Sequence, residues 1–285
     1  MHGSATPLLI VAVIAIAIIL YGAACFPSSV TDGGLSAFIA AVVPLLVYFS
    51  IGLWARRGSA RIQAALRIGT VAGLSMAAVG VLYHAVEIST SLLASIGAVL
   101  GAGMWGAMFL TFGIACSATF MKEKSIGLGV LSSAWCGMMY AAMLVACALA
   151  IGFTFMPHMQ RILAPLYSTS GMQDPQAFVV RHEVGAAGEH LFIVPAIASF
   201  VGLVSGVACL FLISIRRQAA LVISIVAMLV FAAEVVSIRF ATTLERAQRP
   251  PFVVFGLAAL AVTLASAHPL YIAIRYPRSP REGGC

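Results

Sequence analysis

The chain has 285 residues, of which 62% are hydrophobic and only 9% charged, with a net charge of +7 and a mean hydropathy of +1.07. A water-soluble globule carries roughly a quarter charged residues, so this composition excludes a solvated surface and describes an integral membrane protein. The basic excess lies in short loops and not in one patch, which sets nucleic acid aside as a partner and leaves the lipid bilayer.

Runs long enough to cross the ~30 Å hydrocarbon layer as helices predict eight spans, at about 7–26, 36–54, 68–88, 92–119, 126–156, 190–214, 219–240 and 252–274. The runs are continuously apolar and do not alternate, so helices and not the strands of a barrel satisfy their backbones in lipid. The expected fold is all-α: a polytopic integral membrane helix bundle forming one membrane domain over 1–285. The first run has no basic residue before it and exceeds the ~7–15-residue apolar core of a signal peptide, so it reads as a retained helix.

Span two ends at Trp54, suited to the interfacial aromatic belt, and is followed by Arg56-Arg57 and "QAAL" at 63–66. Arg216-Arg217 and "QAAL" at 218–221 follow span six in the same way. The match allows a duplication into two four-helix halves, 1–125 and 126–285, one of the repeat arrangements found in transporters.

With the N-terminus inside, the inner loops hold Arg56, Arg57, Arg61, Arg67, Lys122, Lys124, Arg216, Arg217, Arg275, Arg278 and Arg281. The outer side then holds Arg161, Arg181, Arg239, Arg246 and Arg249. This bias predicts both termini in the cytoplasm and a place in the cell membrane, the inner membrane where there are two.

The longest connection, 157–189, falls outside by this topology and contains Pro157, Pro165, Gly171 and Asp174-Pro175, all turn formers. Between those breakers "QAFVVRHEV" reads as a short amphipathic helix at the interface.

The candidate chemistry gathers on the same side. In "RHEVGAAGEH", His182 and Glu189 are seven apart, as are Glu183 and His190, so a helix would place all four on one broad stripe. Gly185 and Gly188 oppose that helix. Span three ends in "LYHAVEIS", with His84 and Glu87 three apart. If spans three and six pack at their outer ends, His84, Glu87, Glu183, Glu189 and His190 converge into a metal, proton or haem site. His84 and His190 are then the candidate ligands of haem or a transition metal. The plainer reading is a solvated helix start whose acids sit on the positive end of the helix dipole.

Deeper in the bilayer lies Glu234, in "VFAAEVVSIRF" of span seven. A carboxylate at that depth costs ~2.5–3.5 kcal/mol on insertion scales, and an acid retained there is a functional hypothesis by default. Arg239 is five residues on, too far along the helix for a direct pair, and reaches the interface by snorkelling. His268-Pro269 marks a kink in span eight, where His268 faces a cavity or acts as a hydrogen-bonded packing residue.

"GAVLG" at 97–101 and "GLVSG" at 202–206 are small-xxx-small patterns that predict close packing of spans four and six. "GMMYAAM" at 137–143 reads as core filler. The six cysteines include no CxxC pair, and neither a phosphate-binding GxxxxGK[ST] loop nor HExxH occurs. Asp32 and Asp174 are isolated from one another, so no aspartate pair is available to hold magnesium and a diphosphate.

Three functions fit. The first is a small secondary transporter or permease for a small molecule or ion, with Glu234 as coupling acid and the His/Glu cluster at its mouth. The second is a redox or metal-bearing subunit using His84 and His190, and the third a structural subunit docked in a membrane complex. The first is preferred for a chain with no room for a soluble domain. If Glu234 couples transport to protons, Glu234→Gln and Glu234→Ala will each change both vesicle uptake and its pH dependence; two unaltered profiles rule the role out.

Overall fold

The computed structural model describes residues 5–89 and 93–214. Predicted spans seven and eight, with Glu234, Arg239 and His268, lie outside the described residues. Over the described chain there are helices and no strand: α1 (Thr6–Cys25), α2 (Ser28–Thr31), α3 (Leu35–Ala55), α4 (Ala60–Ser89), α5 (Leu93–Glu123), α6 (Ile126–Thr154), α7 (Met156–Tyr167) and α8 (Pro175–Ser214). Six of them, α1, α3, α4, α5, α6 and α8, are long and apolar enough to cross a membrane. The chain is a multi-pass membrane protein. Large apolar side chains such as Ile10, Leu46, Leu82 and Phe200 stand exposed on the outer faces of the bundle, as lipid contact requires.

The long helices run alternately up and down. One end gathers Arg56, Arg57, Arg61, Lys122 and Lys124 in or beside its connections, and is called the basic end. There Arg61 holds Glu123 through Nε–Oε2 at 2.9 Å, an exposed pair of little energetic weight. The other end carries α2, α7 and the start of α8. Asp174 caps α8, accepting from the Gln176 and Ala177 amides at 2.8 and 3.2 Å. Its second oxygen takes the Ser28 hydroxyl at 3.1 Å. Gly171, at φ +72°, turns the chain into that cap.

Two helices are longer than hydropathy predicts. α4 begins at Ala60 and not near 68, because Arg61 and Arg67 continue the helix beyond the apolar stretch. α8 begins at Pro175 and not at 190, so most of 157–189 is helical, shared between α7 and α8. Its first turns bury Val179, Val180, Val184 and Ala187 while presenting polar residues elsewhere. Gly185 and Gly188 do not break it. A side chain at Gly188 would come within 3.0–3.2 Å of Ala40 and Ala41, so this glycine is where α8 lies against the backbone of α3.

α6 is the central helix, packed against α1, α4, α5 and α8. Between helices in lipid, close approach replaces the hydrophobic drive, and small residues line both sides of α6. On α4, a Cβ at Gly69 would sit 2.4 Å from the Ser132 carbonyl oxygen, and one at Gly73 2.7 Å from that of Cys136. From α6, a Cβ at Gly137 would meet Ala198 at 2.6 Å; from α8, one at Gly202 would meet Ser133 at 2.7 Å. Gly202 and Gly206 thus belong to an α8–α6 contact, with Cys116 of α5 alongside.

Side-chain donors reach backbone carbonyls across these contacts. Ser133 donates to Ala198 at 2.6 Å, and Cys116 to Gly202 at 3.0 Å. Trp135, fully buried, donates its Nε1–H to Thr70 at 2.9 Å. Pro195 lies inside α8 and has no N–H for the Leu191 carbonyl one turn back; the Tyr48 hydroxyl of α3 donates to that carbonyl instead.

Gly69→Ala should therefore destabilise the bundle by about 1–3 kcal/mol through overpacking against a carbonyl. Tyr48→Phe should cost about 1 kcal/mol. Both will lower the thermal midpoint in detergent, the glycine variant by more.

Candidate functional site

The V between α5 and α8 holds the site. Toward the basic end the two helices touch: Cys116 reaches Gly202, and the Cys209 thiol lies 3.5 Å from the Ser117 hydroxyl. Toward the other end they line opposite sides of a cavity of about 330 Å³, with α6 behind and α4 beside it. That volume lies at the lower edge of small-ligand pockets.

Each wall is one helix face repeating at three- and four-residue intervals. α4 presents Gly80, Tyr83 and His84, and α5 presents Met104, Trp105 and Met108. α6 contributes Tyr140, Leu144, Val145, Ala148 and Leu149; α8 contributes Glu183, Ala186, Ala187, His190 and Val194. Gly80 makes the floor: a Cβ there would press on Met104 Cε at 3.0 Å and the Tyr140 ring at 3.1 Å. The Tyr83 hydroxyl reaches toward Gly101, one turn before Trp105. The Trp105 ring lies 6.1 Å from that of Phe109, tilted by 34°.

Glu183 enters over Gly152 of α6, its Cγ 3.8 Å from where a Cβ would stand. His190 Nδ1 lies 2.9 Å from the Ala186 carbonyl oxygen. A carbonyl only accepts, so Nδ1 carries the hydrogen and Nε2 is the basic nitrogen. His84 faces the same space from α4, its Nε2 shielded from solvent. One carboxyl and two imidazoles thus share a cavity that no Lys or Arg lines among the described residues.

Of the residues singled out from sequence, the structure brings His84, Glu183 and His190 together. α4 and α8 do not pack closely on one another, as the expected convergence required; both pack on α6, and their residues meet only as parts of one cavity lining. The four polar residues of 182–190 do not share a stripe. Glu183, half-buried, and His190, exposed, line the cavity, whereas His182 and Glu189 are exposed outside it, and His182 stacks on Phe178 at 6.0 Å. Glu87 sits in the last turn of α4, and its side chain is not among those described. Among the described residues, no group of three or more His, Cys, Asp or Glu is gathered so that it could hold a metal ion.

Sequence reasoning missed Tyr83, Trp105 and Tyr140. Tyr140 lay within a segment read as filler, and Trp105 stands mid-span where an interfacial role does not apply. Their shared signal was placement: each sits within a turn of a residue that faces the same space. No family model, curated protein or solved structure matches the chain.

The cavity predicts a labelling pattern. With the native cysteines replaced, Ala186→Cys will react with a maleimide in detergent, and Ser133→Cys, at a fully buried position, will not.

Proposed function

We propose that the protein is a small secondary transporter, a permease that takes a small, partly apolar solute into the α4–α5–α6–α8 cavity and couples its passage to proton exchange at Glu183. The observation that carries this reading is the cavity itself: lined by α4, α5, α6 and α8, bounded toward the basic end by small-residue packing, with an acid set in a largely apolar lining. An ionisable group retained inside a membrane bundle marks a substrate or proton route. The excess of basic residues at the closed end supports placing that end in the cytoplasm. The cavity then lies in the outer half of the bundle, in the cell membrane. Glu234, with Arg239 five residues on, and His268 in the last predicted span are the further candidates for proton coupling, and two four-helix halves are the candidate moving bodies.

His84 and His190 on facing walls of one cavity favour a second reading, a haem- or metal-bearing redox subunit. Both readings meet one experiment on purified protein. A colourless, metal-free sample in vesicles should show solute-dependent proton movement under an imposed pH gradient, reduced at least tenfold by Glu183→Gln. A Soret band or stoichiometric metal would transfer the site to the second reading.

A further inference from the structure

We infer that the cavity selects an organic monocation, a small alkyl- or aryl-ammonium, which competes with a proton for Glu183. The inference rests on the permease reading for its purpose but on the lining for its chemistry. Three aromatic side chains face the space from three different helices: Tyr83 from α4, Trp105 from α5 and Tyr140 from α6. Aromatic faces attract cations, ammonium groups in particular, and do so most strongly away from water.

Charge decides between ligand classes. Among the described residues Glu183 is the one acid in the lining and no Lys or Arg lines the cavity, so the described lining offers a counter-charge to a cation and none to an anion. A bare metal ion has no gathered donor set among the described residues. An ammonium with an apolar body satisfies the carboxylate, the rings and the Met104, Met108, Leu144 and Val194 walls together.

The exchange is balanced. As the cation arrives, the Glu183 carboxyl O–H breaks and its proton leaves to water; no covalent bond forms to the cation, and net charge in the cavity is conserved. The other titratable groups facing Glu183 are Tyr83 and His84 from α4, Tyr140 from α6 and His190 from α8; the α5 wall contributes none. Arg181, two residues away on α8, is turned to the Asp32 carbonyl and Met172.

The test is calorimetric titration of the detergent-purified full chain with benzyltrimethylammonium, benzyl alcohol and benzoate. Repetition in buffers of different ionisation enthalpy counts the protons released. The expected result is binding of the cation at least tenfold tighter than either companion, tightening as pH rises, with up to one proton released per cation. Trp105→Leu should weaken the cation about fivefold, and Glu183→Gln should abolish proton release.

Equal binding of cation and alcohol by the native chain overturns the proposal without recourse to any variant. So does proton release that survives Glu183→Gln and disappears in His190→Gln. The two readings fail separately. A chain that binds the cation but moves no protons or cation across vesicles keeps the ligand class and loses the permease. One that moves protons with another solute while ignoring the cation does the reverse.

Discussion

Everything described here hangs on how closely α4 and α8 can approach α6. Between helices in lipid there is no hydrophobic gain to draw them together, so contact comes from dispersion at short range and from hydrogen bonds across the interface. Gly69 and Gly73 bring α4 onto the carbonyls of α6; Gly137 and Gly202 do the same for α6 and α8. The short hydroxyl and thiol donors of Ser133 and Cys116 reach foreign carbonyls because the backbones are already near.

The cavity exists because that rule stops applying partway along the bundle. Along α6 the α8-facing side runs from Ser133 and Gly137 to Tyr140 and Leu144. Along α5 it runs from Cys116 to Met108 and Trp105, and along α8 from Gly206, Gly202 and Ala198 to Val194 and His190. Small side chains close the bundle at the basic end. Bulky ones hold it apart at the other, with no insertion and no loop needed to shape a site.

What sequence reading saw follows from the same physics. Six apolar runs were legible because lipid imposes length and composition on any helix that crosses it. The start of α8 was not legible, since its first turns mix Arg181, His182 and Glu183 with Val179, Val180 and Val184, and hydropathy averages over faces. The seven-residue register of 182–190 was real, but its two pairs lie one residue apart. That is about 100° on a helix, enough to turn one pair toward the cavity and the other away. Gly188 looked like a breaker because propensity counts backbone entropy and cannot see the α3 backbone waiting at Ala40.

Tyr48 and Pro195 carry an implication for how this chain can vary. The hydroxyl on α3 stands in for the amide that proline lacks on α8, so each residue makes sense only in the presence of the other. Where α8 has an ordinary residue at position 195, the helix supplies its own donor, and a tyrosine at 48 has a buried hydroxyl with a competitor for its acceptor. In a lineage of such proteins the two positions should therefore be inherited as one trait, changing together or not at all.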